Sequence, residues 1–148
     1  MTFGSNYSVR KAVLEDIPSL KKIVDQHRHQ LGFVLRSALQ SSIERAEVLV
    51  AVDQTNLIVG LVQYRHRKDG QTTLYNIVIS HENQGKGIGR SLIDALNSEA
   101  KKYGQKNIVL KCPIDLPAND FYHAYGFSPH KTEEGKKRPL QIWSIEIR

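Results

Sequence analysis

Three glycines at alternate positions, in Gln84-Gly85-Lys86-Gly87-Ile88-Gly89, stand between a β-branched run at residues 72–80 (TTLYNIVIS) and a helical repeat of apolar residues, Ile88, Leu92, Ile93, Leu96, Ala100 and Tyr103. The change of period across this loop predicts a strand that feeds directly into a helix, which Gly104 then stops. Glycine has no Cβ, so a loop built from it turns tightly and lets another molecule approach its backbone. The first turn of the helix adds unpaired N–H groups and the positive end of the peptide dipole, and the combination suits a phosphate. One glycine would satisfy a tight connection; three point to a phosphate cradle.

Two common nucleotide-binding patterns do not fit this loop. A dinucleotide fingerprint starting at Gly85 would need glycine where Arg90 stands, and a P-loop would need Ser or Thr where Gly87 follows Lys86. The segment does match Gln/Arg-x-x-Gly-x-Gly/Ala through Gln84, Gly87 and Gly89.

The rest of the chain supplies a sheet around this unit. Residues 7–11 alternate weakly, as a short first strand. Asp16 is placed to cap a helix with Pro18 in its first turn, whose positions Ile17, Leu20, Ile23, Val24, His27 and Leu31 recur at helical spacing until Gly32 breaks the pattern. Leu35, Leu39 and Ile43 mark a second helix over residues 35–45. Strands at 47–53, 57–67 and 72–80, separated by polar turns, form an antiparallel meander. Residues 107–112 follow the glycine helix as a strand parallel to 72–80, completing a βαβ unit. A short helix over 117–125 ends at Gly126, and strands at 127–131 and 139–147 flank a turn at 133–138, with Trp143 and Ile145 on one face.

Composition narrows the class. A chain of 148 residues, 40% hydrophobic, is expected to form a single domain, 1–148, able to bury a core without staples. The lone Cys112 excludes an internal disulfide and a cysteine-rich zinc site, and reads as a small buried thiol. Twenty-one Lys and Arg against fifteen Asp and Glu give a net charge of +6, which favours an anionic partner: nucleic acid, a membrane surface or a phosphorylated cofactor. No apolar run is long enough to span a bilayer and residues 1–7 lack a basic and apolar leader, so a cytoplasmic protein with no membrane partner is expected. With 7% aromatics and no zinc-finger, RRM or KH signature, nucleic acid is not the expected partner.

The glycine segment resembles the coenzyme A pyrophosphate loop of the GNAT superfamily of acetyl-CoA-dependent N-acetyltransferases. Ala118-Asn119-Asp120-Phe121-Tyr122-His123-Ala124-Tyr125-Gly126-Phe127 is similar to that family's second hallmark, Phe/Leu-Tyr-x-x-x-Gly-Phe, and the element order matches the family fold. The resemblance implies an α/β, three-layer, GNAT-like architecture: a mixed, mostly antiparallel central sheet of about seven strands flanked by about four helices. It implies acetyl-CoA as cosubstrate, with no metal. The strand before the loop would carry a bulge and splay from its neighbour, with Ile77 and Ile79 beside the cofactor and the Ile79 amide facing the thioester carbonyl. Gln84, Gly85, Lys86, Gly87, Ile88, Gly89 and Arg90 would hold the pyrophosphate.

By the same resemblance, Tyr122 would protonate the departing thiolate, with Tyr125 as the packing residue beside it, and Asn119, one turn earlier, is a candidate to bind the pantetheine arm or simply to start the helix. Many relatives carry a glutamate upstream of the bulge, yet Thr72-Thr73-Leu74-Tyr75-Asn76 holds no carboxylate, and Glu82 lies in the loop. His66, His81 and His123 are the histidines that could act as a base; ordered water, or an amine already neutral, is the expected route instead. The acceptor, a small-molecule amine or a protein or peptide amine, would enter between residues 27–33 and the hairpin at 133–138, where Lys136, Lys137 and Arg138 suit an acidic partner. The last strand is a candidate homodimer edge. An aminoacyl-tRNA amine as acceptor, and a catalytically silent acyl-CoA-binding domain, are the alternatives.

Overall fold

A computed structural model describes residues 2–3, 6–31 and 34–148. Its strands are β1 (Thr2–Phe3), β2 (Tyr7–Lys11), β3 (Val48–Asp53), β4 (Ile58–His66), β5 (Gln71–Ile79), β6 (Asn107–Pro113), β7 (Ser128–Glu133) and β8 (Leu140–Glu146). Its helices are α1 (Ile17–Gln26), α2 (Arg28–Leu31), α3 (Arg36–Glu44), α4 (Ile88–Lys102) and α5 (Ala118–Tyr125). The strands form one sheet in the order β1-β2-β3-β4-β5-β6-β8-β7, in which β5 and β6 run parallel and the other neighbours antiparallel. The mixed, mostly antiparallel three-layer architecture is as expected, with the two-residue β1 added at one edge.

Burial divides the sheet in two. Val48, Val50 and Val52 of β3 pack with Leu20, Ile23 and Val24 of α1 and Leu39 and Ile43 of α3, while Leu49 and Ala51 face the α4 core of Leu92, Ile93 and Leu96. Covered on both faces, β3 and β4 read as continuous apolar runs. On β6, by contrast, Ile108, Leu110 and Cys112 join the α4 and α5 core, while Lys111 is exposed and Val109 only half-buried. Helix α4 ends in a Schellman turn: Gly104, at φ +84°, donates to Lys101 O, and Gln105 donates to Ala100 O.

Two irregularities shape β5. Gln63 pairs with Asn76 but Tyr64 pairs with Leu74, so Tyr75 is the extra residue of a bulge. Leu74 before the bulge and Ile77 and Ile79 after it all pack against the α4 core, while Val78 joins the α1 and α3 core. Strict alternation from Leu74 would put Ile77 and Ile79 on the opposite face; the bulge shifts the phase by one. The second irregularity is the edge toward β6. Pairing joins Gln71–Thr73 to Asn107–Val109 and then stops, although β5 stays paired with β4 through Ile79 and β6 with β8 through Pro113. The two parallel strands therefore part, leaving an opening between their C-terminal halves.

Two details differ from the sequence reading. The first helix, expected to run to Leu31, breaks at His27, whose φ of −113° and ψ of 22° leave the helical range; Arg28–Leu31 form a separate turn. The proposed breaker Gly32, like Phe33, lies outside the described residues. Asp16 does not cap α1 with its side chain. Its carboxylate accepts instead from Val13 N–H at 2.8 Å and from both terminal nitrogens of Arg10 at 2.8 and 3.0 Å, tying β2 to the start of the helix and holding the carboxyl below its ordinary range.

Candidate active site

The opening in the sheet, the start of α4 and one face of α5 meet at a single place. Gly87 is the N-cap of α4 with φ +81° and ψ 8°, a left-handed conformation that L-residues adopt at a cost, and no side chain caps the helix. The first helical bond runs from Ser91 N–H to Gly87 O, and among the described residues the N–H groups of Gly85 through Arg90 have no acceptor. These donors sit at the positive end of a 15-residue helix. A Cβ on Gly89 would stand 3.2 Å from Phe121 Cζ and 4.0 Å from Ile77 Cδ1, so the bare backbone is what lets α5 and β5 close on the start of α4.

The expected cofactor contacts in the loop take distinct positions. Lys86 is exposed with Nζ 3.4 Å from Asn83 Oδ1, and Gln84 Nε2 lies 3.4 Å from Ile79 O. Arg90 stacks its guanidinium over the Tyr125 ring at 5.0 Å, which keeps its charge beside the first turn of α4. Ile88 is buried and anchors the loop in the core.

Register settles where the β5 backbone points. Ser80 N–H donates to Val59 O across the β4–β5 ladder, so the alternating residues Ile79 and Ile77 turn their N–H and C=O groups away from β4, toward the opening. At that level β6 is no longer paired with β5. The N–H groups of Ile77 and Ile79, the two residues expected to line the cofactor slot, thus face the opening, while the Ile79 carbonyl is taken by His27 Nε2 at 2.9 Å.

Tyr122 lies on the inner face of α5, 6% exposed, between the rings of Phe121 and Phe127 at 5.5 and 5.6 Å. Its hydroxyl has no hydrogen-bond partner among the described residues. Burial raises this phenol above its ordinary value, and Cys112, on the β6 side of the opening, adds to the rise. A hydroxyl without a protein partner beside an opening is available to a bound molecule. Tyr125 differs: its hydroxyl donates to Asp94 Oδ1 at 2.5 Å, committing it to helix packing.

Asn119 is fully engaged within the protein. Its Nδ2 donates to Pro113 O at 2.9 Å and Leu116 O at 2.8 Å, and its Oδ1 accepts from Trp143 Nε1 at 2.8 Å. The amide therefore pins the turn between β6 and α5 to β8 and has no hydrogen left for a pantetheine arm. Asn119→Ala is expected to lower stability by about 2–3 kcal/mol, because three bonds go and the Trp143 N–H is stranded; urea unfolding followed by fluorescence measures it.

Basic groups for the amine are sparse. His66 pairs with Thr72, at the closed end of β5, where it stacks on Tyr103 at 4.4 Å and its Nδ1 lies 2.8 Å from Thr72 Oγ1. That places it seven residues of strand, about 23 Å, from Ile79. Glu82 and His123 are exposed. Among the described residues no group of three His, Cys, Asp or Glu is placed to hold a metal. Arg138 bridges to Asp115 at 3.0 Å, and Ile114 N–H donates to Pro139 O, so the β7–β8 hairpin is fastened to the β6–α5 turn beside the opening. Lys136 and Lys137 are exposed there, with no ion-pair partner among the described residues.

Sequence reasoning placed His27 in the acceptor segment 27–33 and did not foresee its contact with β5. This histidine is 7% exposed, with Nε2 2.9 Å from Ile79 O and its ring edge-on to His81 at 4.8 Å. Sequence reasoning also missed the chain from Asn76 Nδ2 to Gln63 Oε1 at 2.8 Å and from Gln63 Nε2 to Ser42 Oγ at 2.9 Å, which joins the bulge to α3.

This arrangement has relatives. The family model described as "Acetyltransferase (GNAT) domain" matches residues 19–143, and the chain belongs to that family. No curated protein matches the sequence. Among solved structures, Ard1 from Thermoplasma volcanium superposes with a TM-score of 0.85 at 15% identity, covering 96% of this chain and 98% of that one. The yncA protein of Salmonella typhimurium, solved with its cofactor acetyl-CoA, gives 0.80 at 19% identity over 97% and 95%. The ribosomal-protein-S18-alanine N-acetyltransferase of Escherichia coli gives 0.78 at 18% over 95% and 94%. At these identities the likeness concerns the fold.

Proposed function

We propose that this chain is an acetyl-CoA-dependent N-acetyltransferase that passes acetyl directly to a primary amine. The observation that carries the reading is the meeting, at one opening, of a row of N–H groups without a protein acceptor, the N–H groups of a splayed strand, and a Tyr122 hydroxyl with no hydrogen bond among the described residues. Acetyl-CoA supplies the activated thioester. The N–H groups of Gly85 through Arg90 would bind the pyrophosphate, with Lys86 and Arg90 adding charge. The slot-facing edge of Ile77 would orient the pantetheine as a strand orients a neighbour, and the Ile79 N–H, beside a carbonyl taken by His27, would receive the oxyanion formed on amine attack. Tyr122 would give its proton to the departing sulfur.

No Asp or Glu occurs anywhere in β5, so removal of the amine proton falls to ordered water or to the equilibrium in bulk. The same gap favours the second reading, a domain that binds acetyl-CoA without turning it over. Thiol release from acetyl-CoA over a panel of amines, acidic peptides among them because of Lys136 and Lys137, separates the two. The enzyme reading expects amine-dependent thiol release; saturable binding with no release for any amine supports the silent domain.

A further inference from the structure

Gln63 is the one side-chain amide in the buried run of β4 from Ile58 to Tyr64, and it is 7% exposed. A leucine would fill the position without the desolvation cost of an amide, so its partners explain the residue. Gln63 Nε2 donates to Oγ of Ser42, 3% exposed on α3, and Gln63 Oε1 accepts from Asn76 Nδ2. Arg45 Nη2 reaches the same serine oxygen at 3.4 Å, with its Nε held by Glu47 Oε1 at 2.8 Å. This row of bonds runs from α3 across β4 and ends at Asn76. Because Asn76 Nδ2 is bonded to Gln63, Oδ1 is held on the far side of the amide. That oxygen has no partner among the described residues and is not sealed from solvent.

The bulge decides where this oxygen stands. Strict alternation from Leu74 would put Asn76 on the α4 face; the extra residue, Tyr75, moves it to the face of Val78 and α3. The glycine loop and Tyr122 belong to the α4 and α5 side, so a cofactor held there leaves the opposite face as the way in for an amine. On that face Asn76 is half-buried, next in sequence to Ile77 and beside the gap where β6 has left β5. It is three residues from Ile79, about 10 Å along the strand. This is too far to touch the reacting nitrogen and near enough to touch the molecule that carries it. No carboxylate on β5 competes for that molecule, and an amide oxygen accepts a hydrogen bond without adding charge.

We propose that Asn76 is a specificity-determining residue whose Oδ1 accepts a hydrogen bond from the acceptor, so that the preferred acceptor is an amine bearing a second N–H or O–H donor a few bonds from the reacting nitrogen. The inference deepens the acetyl-transfer reading and rests on it for its kinetic test. The probes are N-(ω-aminoalkyl)acetamides with chains of two to five carbons, each matched by its N-methyl counterpart, which lacks the amide N–H. In the natural chain the best amide should exceed its counterpart about 10-fold in kcat/KM. Asn76→Leu removes the oxygen and is expected to bring the two within about 2-fold of each other, with the KM for acetyl-CoA unchanged. Asn76→Asp keeps an acceptor oxygen, to which Gln63 can donate by reversing its amide while the Ser42 hydroxyl donates back, so the preference should survive there. A preference equal in the natural chain and Asn76→Leu overturns the proposal, as does its loss in the Leu and Asp variants alike, which would mark a purely structural role. Binding is read separately, with CoA in place and no acetyl group to transfer. The amides should move the side-chain amide resonances of Asn76 and the N-methyl counterparts should not; resonances that stay in place, or move equally with both, overturn the proposal. Acetyl-CoA binding without thiol release for any amine would remove the acetyl-transfer reading and leave this binding test to decide.

Discussion

Replacing Gly87 with valine is expected to weaken acetyl-CoA binding by more than about 100-fold, or roughly 3 kcal/mol, in a calorimetric titration. Space is not the reason, since nothing lies within 4 Å of where a Cβ would stand. Backbone conformation is: at φ +81° and ψ 8° a β-branched residue is strained, and relief of that strain rotates the peptide planes that aim Ile88, Gly89 and Arg90 N–H at the phosphate. Gly104, at φ +84°, offers the control at the other end of the same helix. Gly104→Val carries comparable strain and should lower the melting temperature without changing affinity for acetyl-CoA. Equal affinity in the natural chain and the Gly87 variant would remove the loop from the binding site.

The second large effect falls on turnover. Tyr122→Phe is expected to reduce kcat about 100-fold with acetyl-CoA affinity changed less than about 3-fold, because the phenyl ring preserves the packing against Phe121 and Phe127 and only the proton source is lost. Burial raises the phenol above its ordinary value near 10, so it stays protonated throughout the working range. The sign follows: a group whose pKa is raised loses its proton only at still higher pH, and kcat should show no alkaline fall from Tyr122 below about pH 10. Should Tyr125→Phe lower kcat as far as Tyr122→Phe, the assignment would move to the wrong tyrosine, given that the Tyr125 hydroxyl is already spent on Asp94.

The parts of this site that lie on one stretch of chain were legible in the sequence. The glycine loop, the strand before it and the helix after it are contiguous, and the switch of period at Gly87 marks their junction within a residue of Ile88, where α4 begins. What escaped depends on contacts between distant segments. His27 occupies a position on the apolar stripe of the first helix, and its partner carbonyl lies 52 residues away, so periodicity could only place it in the core. Asn119 sits where a helix start or a ligand contact is equally natural, and only the approach of Trp143, 24 residues on, commits it. Strand β1, two residues long, is too short to carry a period.

Titration of the natural chain with acetyl-CoA, followed by amide resonances, tests the central claim most directly. The account predicts saturable one-to-one binding with the largest shifts at Gly85 through Arg90, Ile77 and Ile79, all of them lining the opening where β5 leaves β6. Absence of binding, or shifts confined to residues away from that opening, would contradict it.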